Sequence, residues 1–251
     1  MVEINPDREV VTERSVSSKY DMTIAFVGNP SVGKSAFFSR LTGIGVVVAN
    51  YPGTTVELTH GSINVDSKKI DVVDLPGIYS LGASTEDEKV SKRYLLREYP
   101  DVIINVVDAT RLERNLYLTL QLLELEIPMV VALNQMDAAK EMGLELDIDK
   151  LSDFLGVPVI PTVATKGLGL DEVVLSALGE ELSTENRRKV HYDNHILRAI
   201  GRLDEDFPEI SYGIKVRALE RDEEFVKLSC RPHDADLLLA TSESITEEIE
   251  K

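Results

Sequence analysis

The residues with the plainest chemical purpose are Gly28-Asn29-Pro30-Ser31-Val32-Gly33-Lys34-Ser35, a complete G-x-x-x-x-G-K-S phosphate loop. Glycines at both ends let the loop turn its backbone N–H groups inward, where they cradle phosphate oxygens. Lys34 is placed to reach β- and γ-phosphates and the Ser35 hydroxyl to hold a Mg²⁺ ion, with Ala36 following at the helix start. Asp74-Leu75-Pro76-Gly77 lies 40 residues after Lys34. Its aspartate can hold the Mg²⁺ through a water, and the Gly77 N–H can contact a γ-phosphate and register its loss. Asn134-Gln135-Met136-Asp137 has the N-x-x-D form that reads guanine. Asp137 would accept from N1–H and the exocyclic N2, which adenine cannot offer, so discrimination can be large. Asp137 could also cap a helix beginning at Ala138, and both roles can hold, but strand, spacing and order favour guanine reading. Val163-Ala164-Thr165-Lys166-Gly167 then offers backbone N–H groups, chiefly at Ala164 and Thr165, to guanine O6. Thr54 and Thr55, behind Gly53, could each coordinate Mg²⁺ only while a γ-phosphate orders their loop, and the residues alone do not choose between them.

These segments need a scaffold that presents them on one edge. Met22 to Val27 reads as a buried strand feeding the phosphate loop, and Ala36 to Leu41 as the first turns of a helix. Strands and helices alternate from there, which predicts an α/β fold with a mostly parallel sheet of about six strands. Ile44 to Gly53 reads as a loop. Thr55–Val65 and Lys69–Val73 are predicted strands joined by a short turn, so one strand should run antiparallel. Strands at 101–108, 128–133 and 157–163 alternate with helices at 86–98, 112–125, 148–155 and 170–182. After Leu182 the β-branched runs disappear. Residues 184–189 are polar enough for a linker, and 183–251 reads as a small helical domain closing on an acidic tail. Residues 1–20 read as an N-terminal extension, which leaves 21–182 as the nucleotide-binding domain.

Composition excludes several functions. The 251 residues carry 27 Lys and Arg against 44 Asp and Glu, a formal net charge of −17, so no nucleic-acid partner is expected. The short cluster Arg187-Arg188-Lys189 reads as a solvated stretch. A lone cysteine, Cys230, rules out an internal disulfide framework. No run approaches the roughly 20 apolar residues needed to cross a bilayer. His191 and His195, four apart, are too few for a metal site.

Together these segments resemble the cytosolic G-protein part of the ferrous iron transport protein B (FeoB) family. Asn50-Tyr51-Pro52-Gly53-Thr54-Thr55-Val56-Glu57 looks like that family's switch I, and the likeness selects Thr55 over Thr54 as the Mg²⁺ ligand. Asp74 to Leu81, followed by Glu86-Asp87-Glu88-Lys89-Val90, is similar to its switch II. The resemblance implies a Ras-like P-loop GTPase fold followed by a helical domain that inhibits GDP dissociation. It implies GTP and GDP as ligands, bound by residues 28–36, Gly53, Thr54, Thr55, Asp74, Gly77, Asn134, Gln135, Asp137, Val163, Ala164 and Thr165. Mg²⁺ would be held by Ser35, Thr55 and Asp74, and hydrolysis would rest on Lys34, Thr55 and Gly77. It further implies a C-terminal transmembrane iron-permeation region, a small cytosolic accessory protein, a cytoplasmic position beside an inner or plasma membrane, and association with further copies. Two departures bear on rate. Ile78 stands where Ras-type enzymes carry a water-orienting glutamine. Ser31 stands where many family members carry an asparagine associated with K⁺, so K⁺ is not expected to activate. Both point to slow hydrolysis. The alternatives are a nucleotide-sensing module with negligible turnover, or a stand-alone GTPase of ribosome assembly or tRNA modification, which the acidity disfavours.

Overall fold

Seven strands form one sheet in the order β2-β3-β4-β1-β5-β6-β7. They are β1 (Met22–Gly28), β2 (Val47–Asn50), β3 (Glu57–Val65), β4 (Lys68–Asp74), β5 (Val102–Asp108), β6 (Met129–Asn134) and β7 (Val159–Pro161). The computed structural model describes residues 20–43, 46–82, 85–179, 182, 190 and 192–249. The extension before Tyr20, the linker at 184–189 and His191 lie outside the described residues.

The order reverses about β1, which pairs in parallel with β4 on one side and β5 on the other. In such sheets the crevice for ligands lies beyond the carboxyl ends of the strands where the order reverses. Here those ends carry the phosphate loop after β1 and Asp74 after β4. Strands β5 and β6 are buried along their whole length, as their unbroken apolar runs require in the middle of a parallel sheet.

β3 runs against its neighbours, pairing antiparallel with both β2 and β4. The sheet has seven strands rather than the six expected, because 47–50 adds an edge strand where a loop is expected. All four of its residues are exposed, so no alternation of buried and exposed side chains marks it in the sequence. The strand expected at 157–163 is shortened to 159–161, and the helix expected to reach Leu182 ends at Leu178.

Helix α1 (Lys34–Thr42) leaves the phosphate loop and lies on the sheet. Phe26 of β1 meets Phe37 and Phe38 of α1 with ring centroids 5.2 and 6.3 Å apart, the second pair edge-on. All three rings are buried in a core shared with Ile24, Val72 and Ile104. Such aromatic pairs add about 0.5–1.5 kcal/mol each beyond the area they bury. They fix the helix to the strand, and so fix the loop between them.

The remaining helices of this part are α2 (Glu86–Arg97), α3 (Leu112–Leu123), α4 (Met136–Glu141), α5 (Ile148–Leu155) and α6 (Leu170–Leu178). α2 opens on a reciprocal cap: Glu88 N–H donates to Thr85 Oγ1 at 3.2 Å and Thr85 N–H donates to Glu88 Oε2 at 3.2 Å.

Contacts divide the described residues into two compact units, one within 20–91 and 100–182, the other within 92–99 and 190–249. The second is helical among its described residues: α7 (Asn194–Asp206), α8 (Tyr212–Leu219), α9 (Glu223–Ser229) and α10 (Pro232–Ile249). Asp193 caps α7 by accepting from the N–H groups of His195 and Ile196 at 2.9 and 3.0 Å. These two bonds, that from Ile196 first, hold its carboxyl below the usual carboxylate range. Glu247 and Glu248, expected in an acidic tail, lie instead in the last turn of α10, and Glu250 lies outside the described residues. The second half of α2 belongs to this unit through Lys92, whose buried ammonium donates to both carboxylate oxygens of Asp222 at 2.6 and 2.7 Å. Among the described residues no helix is long and apolar enough to cross a membrane.

Candidate nucleotide-binding site

The phosphate loop is shaped by two left-handed residues, Ser31 (φ 67°) and Gly33 (φ 90°). From Ser31 to Ala36 no backbone N–H has a protein acceptor among the described residues; helical bonding resumes at Phe37, which donates to the Gly33 carbonyl at 3.0 Å. A run of unpaired donors at a helix start is an anion-binding concavity. Lys34 is buried and ion-paired to Asp74 Oδ1, and the Ser35 hydroxyl donates to Asp74 Oδ2 at 3.1 Å. The metal-ligand candidates Ser35 and Asp74 therefore converge with Lys34, the candidate phosphate ligand. Oxygen donors of this kind, a hydroxyl and one carboxylate, suit Mg²⁺ completed by phosphates and water. No group of three or more His, Cys, Asp or Glu forms a metal cluster among the described residues.

The segment after Asp74 is fastened to this loop. Leu75 N–H donates to the Phe26 carbonyl at 3.2 Å and Ile78 N–H to the Gly28 carbonyl at 3.1 Å. Gly77, between them, has no acceptor for its N–H among the described residues, which leaves that donor for a phosphate. A side chain at Gly77 would bring its Cβ to 3.0 Å from Pro30 Cα, so glycine is what permits the approach. Ile78 is 1% exposed: its side chain is turned into the core and its N–H is taken up, so neither can orient a water. From the other side, Glu88 accepts the Tyr79 N–H at 3.4 Å and the Ser91 hydroxyl donates to the Pro76 carbonyl at 3.2 Å.

The two threonines of 50–57 differ. Thr54 is absorbed in its own turn, its N–H and hydroxyl both donating to the Tyr51 carbonyl, at 3.0 and 2.9 Å. Thr55 is exposed, and no hydrogen bond links it to Lys34, Ser35 or Asp74 among the described residues. Gly53 sits in the same turn at φ 77°.

Asn134 ends β6 and is the hub of the site. Its Nδ2 donates to the Val32 carbonyl at 2.8 Å, while its Oδ1 accepts from Ala164 N–H at 2.9 Å and Thr162 Oγ1 at 3.3 Å. One side chain thus ties the phosphate loop to the 163–167 loop. A Cβ on Gly33 would lie 2.4 Å from Asn134 Nδ2, so the two loops meet where a side chain has no room. Gln135, left-handed at φ 62°, reaches back to the Ser31 carbonyl at 3.4 Å. Helix α4 begins at Met136, so Asp137 lies in its first turn and is not the cap. The Ala164 N–H, expected to face guanine O6, is already given to Asn134; of the expected pair, Thr165 has no acceptor for its N–H among the described residues. Val163 N–H is likewise taken up, by the Leu168 carbonyl at 3.0 Å.

Two participants have no signal in the motifs. Arg40 of α1 donates to the Thr165 carbonyl, anchoring the 163–167 loop from the helix that carries the phosphate loop. Lys166 pairs with Asp137, Nζ to Oδ2 2.7 Å. The hydrogen bond from Lys166 holds the Asp137 carboxyl below the usual carboxylate range, and Asp137 in turn pushes the Lys166 ammonium up. Lys166 could have been noticed as the one charged side chain in the 163–167 loop.

A family model described as ferrous iron transport protein B matches residues 22–177. The Fe(2+) transporter FeoB of Escherichia coli is 44% identical over 191 residues, covering 74% of this chain and 25% of that protein. Its counterpart in Salmonella typhimurium is 44% identical over 181 residues, covering 70% and 23%. This chain thus spans about a quarter of the length of those relatives. Among solved structures, an S. thermophilus NFeoB variant bound to GDP is 38% identical, with 91% of each chain covered and a TM-score of 0.77. The cytosolic domain of L. pneumophila FeoB is 34% identical, with 90% of this chain and 96% of that one covered and a TM-score of 0.73.

Proposed function

Since this chain belongs to the ferrous iron transport protein B family, we propose that it is the guanine-nucleotide-binding part of a longer Fe²⁺ transporter, hydrolysing GTP slowly and signalling through its switches. One arrangement carries the reading. Unpaired N–H donors, Lys34, Ser35 and Asp74 converge at one loop, and Asn134 joins that loop to the segment beside Asp137. GDP in the S. thermophilus NFeoB structure supports the same ligand class here.

In this reading Lys34 and the N–H groups of 31–36 hold the β- and γ-phosphates, and Asp137 with the Thr165 N–H reads guanine. Ser35, Asp74 and Thr55 would hold Mg²⁺, which would supply charge stabilisation at the transferring phosphoryl group. Gly77 donates to the γ-phosphate and loses that bond on hydrolysis. Catalysis is then positioning and charge stabilisation, with water held by backbone groups rather than by Ile78. The transmembrane iron-permeation region and a small accessory protein are the proposed partners, with the chain on the cytoplasmic face and the helical unit slowing GDP release.

The test is titration calorimetry with GDP, ADP and xanthosine diphosphate on the wild type and Asp137→Asn. GDP should bind the wild type and ADP should not. Asp137→Asn should weaken GDP on the order of a hundredfold and favour xanthosine diphosphate. Equal binding of ADP and GDP to the wild type would overturn guanine reading. A second reading, a nucleotide sensor with negligible turnover, is favoured by the buried Ile78. Single-turnover GTP hydrolysis by the full-length transporter separates the two.

A further inference from the structure

Each charged residue of the candidate site already has a partner within the chain, and at the base end that partner is Lys166. Asp137 Oδ1 accepts the Ala138 N–H at 3.0 Å and Oδ2 takes Lys166 Nζ at 2.7 Å. A guanine edge delivers two donors, N1–H and N2–H, to the same two oxygens. The base therefore meets a carboxylate that is occupied rather than waiting.

The backbone beside Lys166 is fixed, which makes the contact a designed reach and not a loose loop. Arg40 holds the Thr165 carbonyl, and Lys166 N–H donates to the Val163 carbonyl at 2.9 Å. Gly167 follows with φ 75° and gives its N–H to the Ala164 carbonyl at 3.2 Å. With both flanks bonded, the side chain of Lys166 is the part that can move. It is 59% exposed and Asp137 35% exposed, so it can swing into solvent at little cost.

Resting on the guanine-reading role of Asp137, we propose that Lys166 is an affinity-setting residue: it competes with guanine for the Asp137 carboxylate and is displaced when the nucleotide docks. Gln135, on the same segment, is turned to the Ser31 carbonyl and offers no cation in its place. The pair stabilises the nucleotide-free form, so the free energy of breaking it is subtracted from binding. Because both groups are substantially exposed, the effect is modest and weakens with salt. The lowered pKa of Asp137 and the raised pKa of Lys166 are what such mutual stabilisation produces.

The experiment compares GDP affinity in wild type, Lys166→Met and Lys166→Arg by titration calorimetry at low ionic strength. Lys166→Met removes the competitor and should tighten GDP by about two- to fivefold. Lys166→Arg keeps a cation and should stay with the wild type. The gain in Lys166→Met should shrink at high salt. Unchanged or weaker GDP binding by Lys166→Met overturns the proposal, as does an equal gain in both variants. If the wild type binds no GDP, the guanine reading itself fails, which is a different outcome from wild-type binding that Lys166→Met leaves unmoved.

Discussion

Asn134→Ala is the substitution that most directly tests how the site is held together. The side chain bonds the Val32 carbonyl, the Ala164 N–H and the Thr162 hydroxyl. Val32, Ala164 and Thr162 are 2%, 1% and 1% exposed, so bulk water does not replace what is lost. A buried polar group left without a partner costs about 1–3 kcal/mol. The Thr162 hydroxyl can rotate to another acceptor, but the two backbone groups are fixed. Two orphans, partly relieved by relaxation, give an expected loss of about 2–4 kcal/mol. Urea denaturation followed by circular dichroism reads it, and GDP affinity should fall in parallel because the phosphate loop and the 163–167 loop lose their tie.

Gly33 provides an independent arm. Gly33→Ala carries left-handed strain of about 1–2 kcal/mol and, besides, drives a Cβ against the Asn134 amide. With alanine at 134 the second penalty disappears. The double variant should therefore be more stable than the sum of the two losses predicts, by about 1 kcal/mol or more. A loss below about 1 kcal/mol for Asn134→Ala, or strict additivity in the cycle, would refute the interlock.

Asp222→Ala strips the buried Lys92 ammonium of its bidentate partner and removes the cap on Phe225 N–H, so it should destabilise the protein by about 3–5 kcal/mol in the same urea assay. Lys166→Met should lower the melting temperature slightly over a defined pH window. The lowered Asp137 pKa contributes stability above the ordinary value of 3.8, lost as pH falls through its lower folded value; the raised Lys166 pKa contributes below 10.5, lost as pH rises through its higher folded value. The gap to wild type should thus be flat between about pH 5 and 10 and close at both extremes. Asp74→Ala frees Lys34 for phosphate, so GDP affinity in EDTA should rise above wild type while the gain on adding Mg²⁺ shrinks. GTP hydrolysis should proceed no faster in KCl than in NaCl at equal ionic strength, since Ser31 offers no amide carbonyl; a strong stimulation would sink that inference.

Motifs with fixed internal spacing were legible in the sequence because their residues act through the backbone they sit on. The phosphate loop, Asp74 at the end of β4 and Asn134 at the end of β6 lie where strand and loop patterning places them. What was illegible depends on contacts across long separations or on exposed backbone. Strand β2 buries no side chain, so its pairing with β3 leaves no periodic trace. Arg40 and the Thr165 carbonyl are 125 residues apart, and Lys92 and Asp222 are 130 apart. Neither pair differs in sequence from ordinary surface charges. The Asn134 side chain was legible as part of a guanine motif but not in its role, since its partners are backbone groups. The helical continuation of α10 through its acidic end was masked because charge alone does not distinguish a solvated helix face from a tail.

The two ion pairs of the site differ in what their rupture requires. Lys34 and Asp74 are 8% and 10% exposed at their side chains, so each is costly to leave unpaired. Breaking a buried pair from one side costs about 3–5 kcal/mol. A phosphate arriving alone would engage Lys34 and strand the Asp74 carboxylate; a divalent cation alone would engage Asp74 and strand the Lys34 ammonium. Arriving together, they give each residue a new partner at once. The phosphate end is therefore close to all-or-none in its demand for both. At the base end the partners are exposed, so under the proposal Lys166 would yield to guanine at little cost. Under the proposed function, selection of a metal-bound nucleotide would rest with the buried pair and the fine setting of affinity with the exposed one. A change at Lys166 can retune how tightly nucleotide is held without disturbing the groups that act on the phosphates.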